Sequence, residues 1–329
     1  MKILILGAAG MVGRKLLGRL AAQGTFNGQL ITHIMLHDVF EPAPPAGASF
    51  AVETMSDDYA APGTAERLVA ARPDLIFHLA SIVSGEAEAR FEEGYRVNLD
   101  GTRALFEAIR AVPDYLPRVV YTSSVAVFGA PFPEVVDDDY LTAPASSYGV
   151  QKVMAELLLA DYSRKGFLDG VAIRLPTICV RPGRPNAALS GFVSGIIREP
   201  LNGVEAILPV EETLRVWIAS PRAAVGYLIH AATIETASLG VRRSLNMPGV
   251  CVTIGEQIDA LRAFAGDAAA RLIRRRLDPV VAQVVGGWPR NFTAERALAL
   301  GFVGDRGFSA ILDAYLADDF RAAATGSKA

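Results

Sequence analysis

Short apolar runs alternate with amphipathic stretches through the first half of the chain. The runs "KILILG", "ITHIMLHD", "SFAVE", "LIFHLA", "RVVYTSS" and "VAIRLP" are largely apolar at successive positions, the pattern of strands covered on both faces. Between them, "GRKLLGRLAAQG", "GTAERLVAARP", "YRVNLDGTRALFEAIRAV" and "SYGVQKVMAELLLADYSRKG" space their apolar residues three and four apart and predict helices. Strand and helix in alternation predict an α/β fold, a doubly wound parallel sheet with helices on both faces. The last of these helices is expected to stop at Gly166, with Arg164 and Lys165 suited to its negative end. After Pro176 the rhythm changes. "RPGRPNAALSG" reads as a Pro/Gly/Arg-rich loop, and the remainder mixes helices with isolated strands. A first domain over 1–175 and a smaller mixed α/β domain over 176–329 are expected, with the chain returning to the first domain around 215–247. The tail "RAAATGSKA" reads as frayed.

Composition narrows the function classes. Of 329 residues, 51% are hydrophobic and 20% charged, which is globular rather than disordered. With 32 basic against 35 acidic residues the net charge is −3, so nothing electrostatic points to nucleic acid. No apolar run is long enough to span a bilayer. "MKILILGAAG" has a signal-like charge and apolar run, but it ends in a Gly-rich turn and reads as a buried strand. Cys179 and Cys251 lie far apart in apolar contexts, which speaks against a disulfide scaffold or a zinc site. A cytoplasmic protein is expected.

Two stretches carry chemistry. "LILGAAGMVGRKLL" sets Gly7, Gly10 and Gly13 in G-x-x-G-x-x-G spacing after a strand and at the opening of a helix. Such a turn brings the backbone close to a pyrophosphate, whose charge faces the helix N-terminus. The next strand ends in "LHDVF", placing Asp38 where a carboxylate accepts from ribose hydroxyls and repels a 2′-phosphate. No lysine or arginine follows closely, so NAD is expected over NADP. A purely structural turn is the competing reading. The second stretch is "SSYGVQK", in which Tyr148 and Lys152 stand one helical turn apart. An ammonium that close favours phenolate over phenol and makes a proton acceptor usable near neutral pH. Alone, the pair reads more readily as a solvated surface turn. "YTSSVAVFG" ends a strand with Ser123 and Ser124, at the sheet edge that faces the ligand crevice in open parallel sheets. His78, between Phe77 and Leu79, reads as a packed, hydrogen-bonded histidine.

The glycine turn, "HLA" at His78–Ala80, "VNLDGT" around Asn98, "SSVAVFG" and "YGVQK" resemble, in order and spacing, the extended short-chain dehydrogenases/reductases of the NAD-dependent epimerase/dehydratase superfamily. The resemblance implies a Rossmann domain followed by a substrate domain. It implies Ser124, Tyr148 and Lys152 as the catalytic set, with Tyr148 as acid/base and Lys152 on the nicotinamide ribose. For the cofactor it implies Gly7, Gly10, Met11, Val12, Gly13, Asp38, Leu79, Ala80, Asn98, Tyr148, Lys152 and Pro176.

The chain departs from the nucleotide-sugar epimerases of that superfamily. It has "IRLPTICVRPGRPN" where they carry L-R-Y-F-N-V-Y-G-P, and "LRVWIASP" with Val216 and Ala219 at their Asp and His positions. Glu53-Thr54 replaces a common Gly-Asp, so the adenine contact is expected to differ, through Ser56 or Asp57. Longer stretches, among them "FHLASIVSGEAEARFEEGYRVNLDGT" and "SGFVSGIIREPLNG", are similar to a narrower group, the D-erythronate dehydrogenases. That similarity implies NAD-dependent oxidation of a small sugar acid at C2. A carboxylate substrate calls for a bidentate arginine. Arg181 and Arg215 are the candidates, with Ser84, Ser124, Tyr148 and Thr177 as further substrate contacts and no metal. Arg174, after an apolar strand, reads as an internal ion-pair partner. The alternatives are a nucleotide-sugar epimerase or dehydratase and, in another class, an NAD-binding redox regulator without turnover. A homodimer through the helices around "VNLDGTRALFEAIR" and after Tyr148 is expected.

Overall fold

A computed structural model describes residues 1–183 and 190–320. The middle of the Pro/Gly/Arg-rich loop and the tail expected to fray lie outside the described residues. Contacts divide the chain into two units, Met1–Val127 with Ser146–Arg174 and Val225–Leu245, and Phe128–Ala145 with Leu175–Ala224 and Asn246–Ala329.

The first unit is built on a seven-stranded sheet. Its strands are β1 (Lys2–Leu6), β2 (His33–Asp38), β3 (Ala51–Ser56), β4 (Leu75–His78), β5 (Arg118–Ser124), β6 (Asp169–Leu175) and β7 (Ser244–Asn246), in the order 7-6-5-4-1-2-3. The pairings of β1 with β2 and β4, of β2 with β3 and of β4 with β5 are parallel. β1 is buried at four successive positions because helices cover both sides of the sheet, which is why its sequence does not alternate. Strand order reverses at β1, so the crevice at the carboxyl ends opens beside the turns that follow β1 and β4.

The helices are α1 (Met11–Gln23), α2 (Thr64–Ala70), α3 (Ser84–Ala89), α4 (Phe91–Tyr95), α5 (Thr102–Ala111) and α6 (Ser147–Arg164). The helix expected to run unbroken from Tyr95 to Val112 instead passes through a π turn at Arg96–Gly101. α6 starts where it does because the Ser146 hydroxyl accepts from the Gly149 N–H, an N-cap. It ends at Arg164, just before Gly166, whose φ of 73° breaks the helix.

The second unit carries a three-stranded sheet, with Arg215–Ala219 between Thr177–Ile178 and Val250–Thr253. Its core includes Ile196, Ile197, Ile218, Ile254 and Ile311. Thr253 and Glu256 form a capping box that starts the helix after the third strand. Two sequence boundaries need correction. Segment 128–145, given above to the first domain, packs with the second unit, its Val136 backbone bonded to Asn291 and Thr293. The return to the first unit spans Val225–Leu245 rather than 215–247, and Arg215 belongs to the second unit.

Candidate active site

The glycine turn is shaped by contacts that only glycine permits. Gly7 has a φ of 83°, and a Cβ there meets the Ala80 nitrogen at 2.7 Å. A Cβ on Gly13 meets the Gly7 carbonyl oxygen at 2.3 Å, so α1 presses directly onto the turn. The Gly7 and Ala8 N–H groups donate to the His37 carbonyl at 2.8 and 3.1 Å, tying the turn to β2. α1 begins at Met11, Val12 and Gly13 behind Gly10, an N-cap with no side chain to occupy those amides. The positive helix end and the crowded glycines fit a pyrophosphate held by backbone. Asp38 closes the turn from the next strand. Its carboxylate accepts from the Ala9 N–H at 2.9 Å and the Phe40 N–H at 3.2 Å, and it keeps lone pairs for a ribose. Leu79 and Ala80 follow β4, with the Leu79 N–H donating to the Leu6 carbonyl at 2.9 Å.

Beyond β3, the Asp57 carboxylate bonds His37 Nε2 at 2.6 Å and pairs with Arg67. Of the two residues named for the adenine, Asp57 is thus already engaged, and Ser56 donates weakly to the Val39 carbonyl at 3.4 Å.

The Tyr-Lys pair is not a solvated surface turn. Lys152 is 1% exposed; its ammonium donates to the Thr122 carbonyl at 2.8 Å and lies 5.5 Å from the Tyr148 ring centroid and 4.7 Å from that of Tyr121. Burial lowers the Lys152 pKa to about 7, against the opposing pull of the Glu156 carboxylate. Tyr148, in the first turn of α6, is half-buried. At the end of β5 the Ser124 hydroxyl oxygen accepts from the Ala126 N–H at 3.2 Å, within the turn Val125–Val127 that packs on α6. Thus the first unit brings Ser124, Tyr148 and Lys152 to neighbouring elements.

Asn98 is buried in the π turn and satisfied on both ends. Its oxygen accepts from the Ser81 hydroxyl at 2.9 Å and the Ile82 N–H at 2.8 Å, and its amide donates to the Ile82 carbonyl at 3.0 Å and the Gln151 oxygen at 2.7 Å. It therefore ties the loop after β4 to α6, beside Lys152. π turns recur at functional sites because they re-aim one side chain. His78 packs edge-on between Tyr59 and Tyr121, with Nε2 3.1 Å from the Thr102 hydroxyl. Thr102 gives its proton to the Asn98 carbonyl, so its oxygen accepts and Nε2 of His78 carries the hydrogen. Burial first, and the Lys152 charge second, lower its pKa to about 3, so the imidazole is neutral. His78 is a packed, hydrogen-bonded histidine, as its flanking residues suggest.

Arg174 pairs with buried Glu156 through Nε at 3.0 and 3.2 Å and Nη2 at 2.7 Å. Ser123 donates to the same carboxylate. Breaking such a pair from one side costs about 3–5 kcal/mol, because a charge is left buried alone. Sequence reasoning named Arg174 but missed Glu156 and Gln151. Their signal was present: both stand on the buried face of α6, and Glu156 is a lone charge in the apolar "AELLLA".

Ser84 opens α3, half-buried. The remaining expected site residues belong to the second unit. Pro176 is buried, and Thr177 pairs with Ile218 across the small sheet. The Arg181 guanidinium donates to the Ile178 carbonyl at 2.9 Å and the Ser190 hydroxyl at 3.3 Å. Arg215 pairs with Glu134 at 2.6 Å. Both arginines already hold partners within their own unit.

Residues 3–233 match the family model "NAD dependent epimerase/dehydratase family". The chain belongs to the NAD-dependent epimerase/dehydratase family. Its cofactor is NAD. The chain is 47% identical to a D-erythronate dehydrogenase of Cupriavidus necator, over 97% of this chain and 98% of that protein. It is 39% identical to a D-erythronate dehydrogenase of Haemophilus influenzae, over 97% and 100%. Among solved structures, one described as a nucleoside-diphosphate-sugar epimerase from Agrobacterium tumefaciens superposes with a TM-score of 0.95 at 56% identity, covering 98% of this chain and 95% of that one. Among the described residues no helix is long and apolar enough to cross a membrane.

Proposed function

We propose that this protein oxidises D-erythronate, or a closely related small sugar acid, at C2 to the 2-keto acid, with NAD as the oxidant. The observation that carries the reading is the 47% identity to a D-erythronate dehydrogenase across nearly the whole of both chains. The residues of the first unit support the chemistry. Ser124 orients the substrate hydroxyl, and Tyr148 takes its proton as general base. The Lys152 ammonium, fixed by the Thr122 carbonyl, stabilises the phenolate and holds the nicotinamide ribose. NAD supplies the acceptor for the hydride from C2. The substrate carboxylate is assigned to Arg215 or Arg181, with Ser84 and Thr177 as neutral contacts. Both cysteines are free, in keeping with a reducing cytoplasm, where we place the enzyme.

A second reading, nucleotide-sugar chemistry, is favoured by the description of the Agrobacterium structure. Val216 and Ala219, at positions where epimerases of the superfamily carry Asp and His, weigh against it. The deciding experiment follows NADH absorbance with a panel of D-erythronate, L-threonate, erythritol and UDP-sugars. Sugar acids are expected to yield NADH and erythritol almost none. Interconversion of UDP-sugars with no NADH from any acid would transfer the reading to the epimerases. Tyr148→Phe is expected to lose at least about 10²-fold in kcat while retaining NAD affinity; turnover within about threefold of wild type removes tyrosine as the base.

A further inference from the structure

We propose that Glu156 is a positioning residue of the active site, holding the Lys152 side chain in its ammonium form and, through Ser123, fixing the strand end that carries Ser124. The inference rests on the reading of Tyr148 and Lys152 as the catalytic pair.

Glu156 stands four residues after Lys152 on α6, so the two side chains stack on one face about 5–6 Å apart at Cβ. Both are buried, at 4% and 1% exposure, where water screens little. Tyr148, whose ring centroid lies 5.5 Å away, is the reacting phenol; the other groups turned toward Lys152 supply no standing counter-charge. From β5 come the Tyr121 ring and the Thr122 carbonyl; burial, then the neighbouring tyrosines and Glu156, raise the Tyr121 pKa and keep that phenol neutral. From β4 comes neutral His78, with Tyr59, also held neutral by burial, behind it. From the π turn comes Asn98, whose amide donates to Gln151 of α6, while Arg96 and Asp100 lie on its exposed side. From α3, Glu88 is exposed and accepts from the Ser147 N–H. Glu156 is the carboxylate whose charge opposes the neutralisation of Lys152 by burial. Arg174, from β6, and the Ser123 hydroxyl fix the rotamer of that carboxylate. Ser123 immediately precedes Ser124, so one carboxylate acts on the ammonium through its charge and holds the hydroxyl-bearing strand end through a hydrogen bond.

The test compares wild type with Glu156→Gln, Arg174→Gln and the double variant. Lysine ¹³Cε NMR of the cofactor-free protein reads the Lys152 titration directly, and the alkaline limb of kcat/KM reads its effect on turnover. In Glu156→Gln the Lys152 midpoint is expected to fall by about one pH unit, with the alkaline limb moving down alongside it. Arg174→Gln disturbs the same pair from its other end, and is expected to leave both in place or raise them. A purely structural role moves neither midpoint, or shifts both single variants alike. If Glu156→Gln fails to fold, the double variant, which leaves no guanidinium buried without its carboxylate, is expected to lower the midpoint in the same direction. A midpoint within about 0.3 unit of wild type overturns the proposal. So does failure of both variants to fold, because Glu156 is then a folding residue. The catalytic reading fails separately. A Tyr148→Phe variant that still turns over sinks that reading whatever the NMR shows. A dead Tyr148→Phe beside an unmoved Lys152 midpoint sinks only the role of Glu156.

Discussion

Lys152 is kept where a lysine is uncomfortable, and the discomfort has a measurable sign. Its pKa falls from 10.5 to about 7 chiefly through burial, so between those pH values the unfolded chain holds a proton that the folded chain has released. Stability from this group is therefore fully present above 10.5 and lost as pH falls through about 7. Lys152→Met removes the buried charge while keeping the length of the side chain. The variant is expected to lose turnover by at least about 10²-fold. It is also expected to melt at a higher temperature than wild type at pH 7 and to lose the rise in stability between about 7 and 10.5. Thermal unfolding across pH checks this; a lower melting temperature for the variant at pH 7 would show that the bond to Thr122 outweighs the buried charge. His78 adds a second acid-sensitive contribution, present above 6.5 and lost as pH falls toward about 3.

At the scale of elements, the glycine turn and the start of α6 were open to reading in the sequence because local rules fix them. Gly7 needs its positive φ, Gly13 sits against the Gly7 carbonyl, and Ser146 caps the helix that presents Tyr148. Asn98 was legible only as a motif residue. Its work, tying the Ile82 backbone to Gln151, depends on a π turn that a helical spacing of apolar residues does not reveal. Glu156 and Arg174 stand 18 residues apart on successive elements, so their pairing is set by β6 and α6 packing rather than by any local pattern. The contact at Gly13 yields a sharp expectation. Gly13→Ala forces a methyl group to 2.3 Å from the Gly7 oxygen, which backbone cannot yield without moving the turn. Titration with NAD is expected to show at least about tenfold weaker binding, the equivalent of about 1.4 kcal/mol. Unchanged affinity would show that the cofactor does not lie on this turn.

The whole molecule is interleaved along the chain, and that was the least legible feature. "SLN" is too short to announce a strand, yet it forms the β7 edge, and nothing in segment 128–145 marks it for the second unit. Val225–Leu245 is more than a return path. Arg118 donates to the Ala231 carbonyl at 3.2 Å and the Ile234 carbonyl at 3.0 Å, and Asp169 receives Thr236 and Arg243. A fragment ending at residue 175, although it holds nearly all of the expected cofactor residues, is therefore expected neither to unfold cooperatively nor to bind NAD. Thermal unfolding and NAD titration of that fragment check this, and a cooperative, NAD-binding fragment would show that β1–β6 suffice.

The late position of β7 also matters while the chain is being made. β6 leaves the ribosome some seventy residues ahead of the strand that will cover it, about 4–14 s at ordinary rates of synthesis. During that interval a nascent sheet presents an open strand edge, together with an Arg118–Asp169 ion pair that still lacks its partners from Val225–Leu245. The price of interleaving is thus a window in which neighbouring nascent chains can pair edge to edge. Slower translation lengthens that window, and a chaperone bound to the emerging chain shields it.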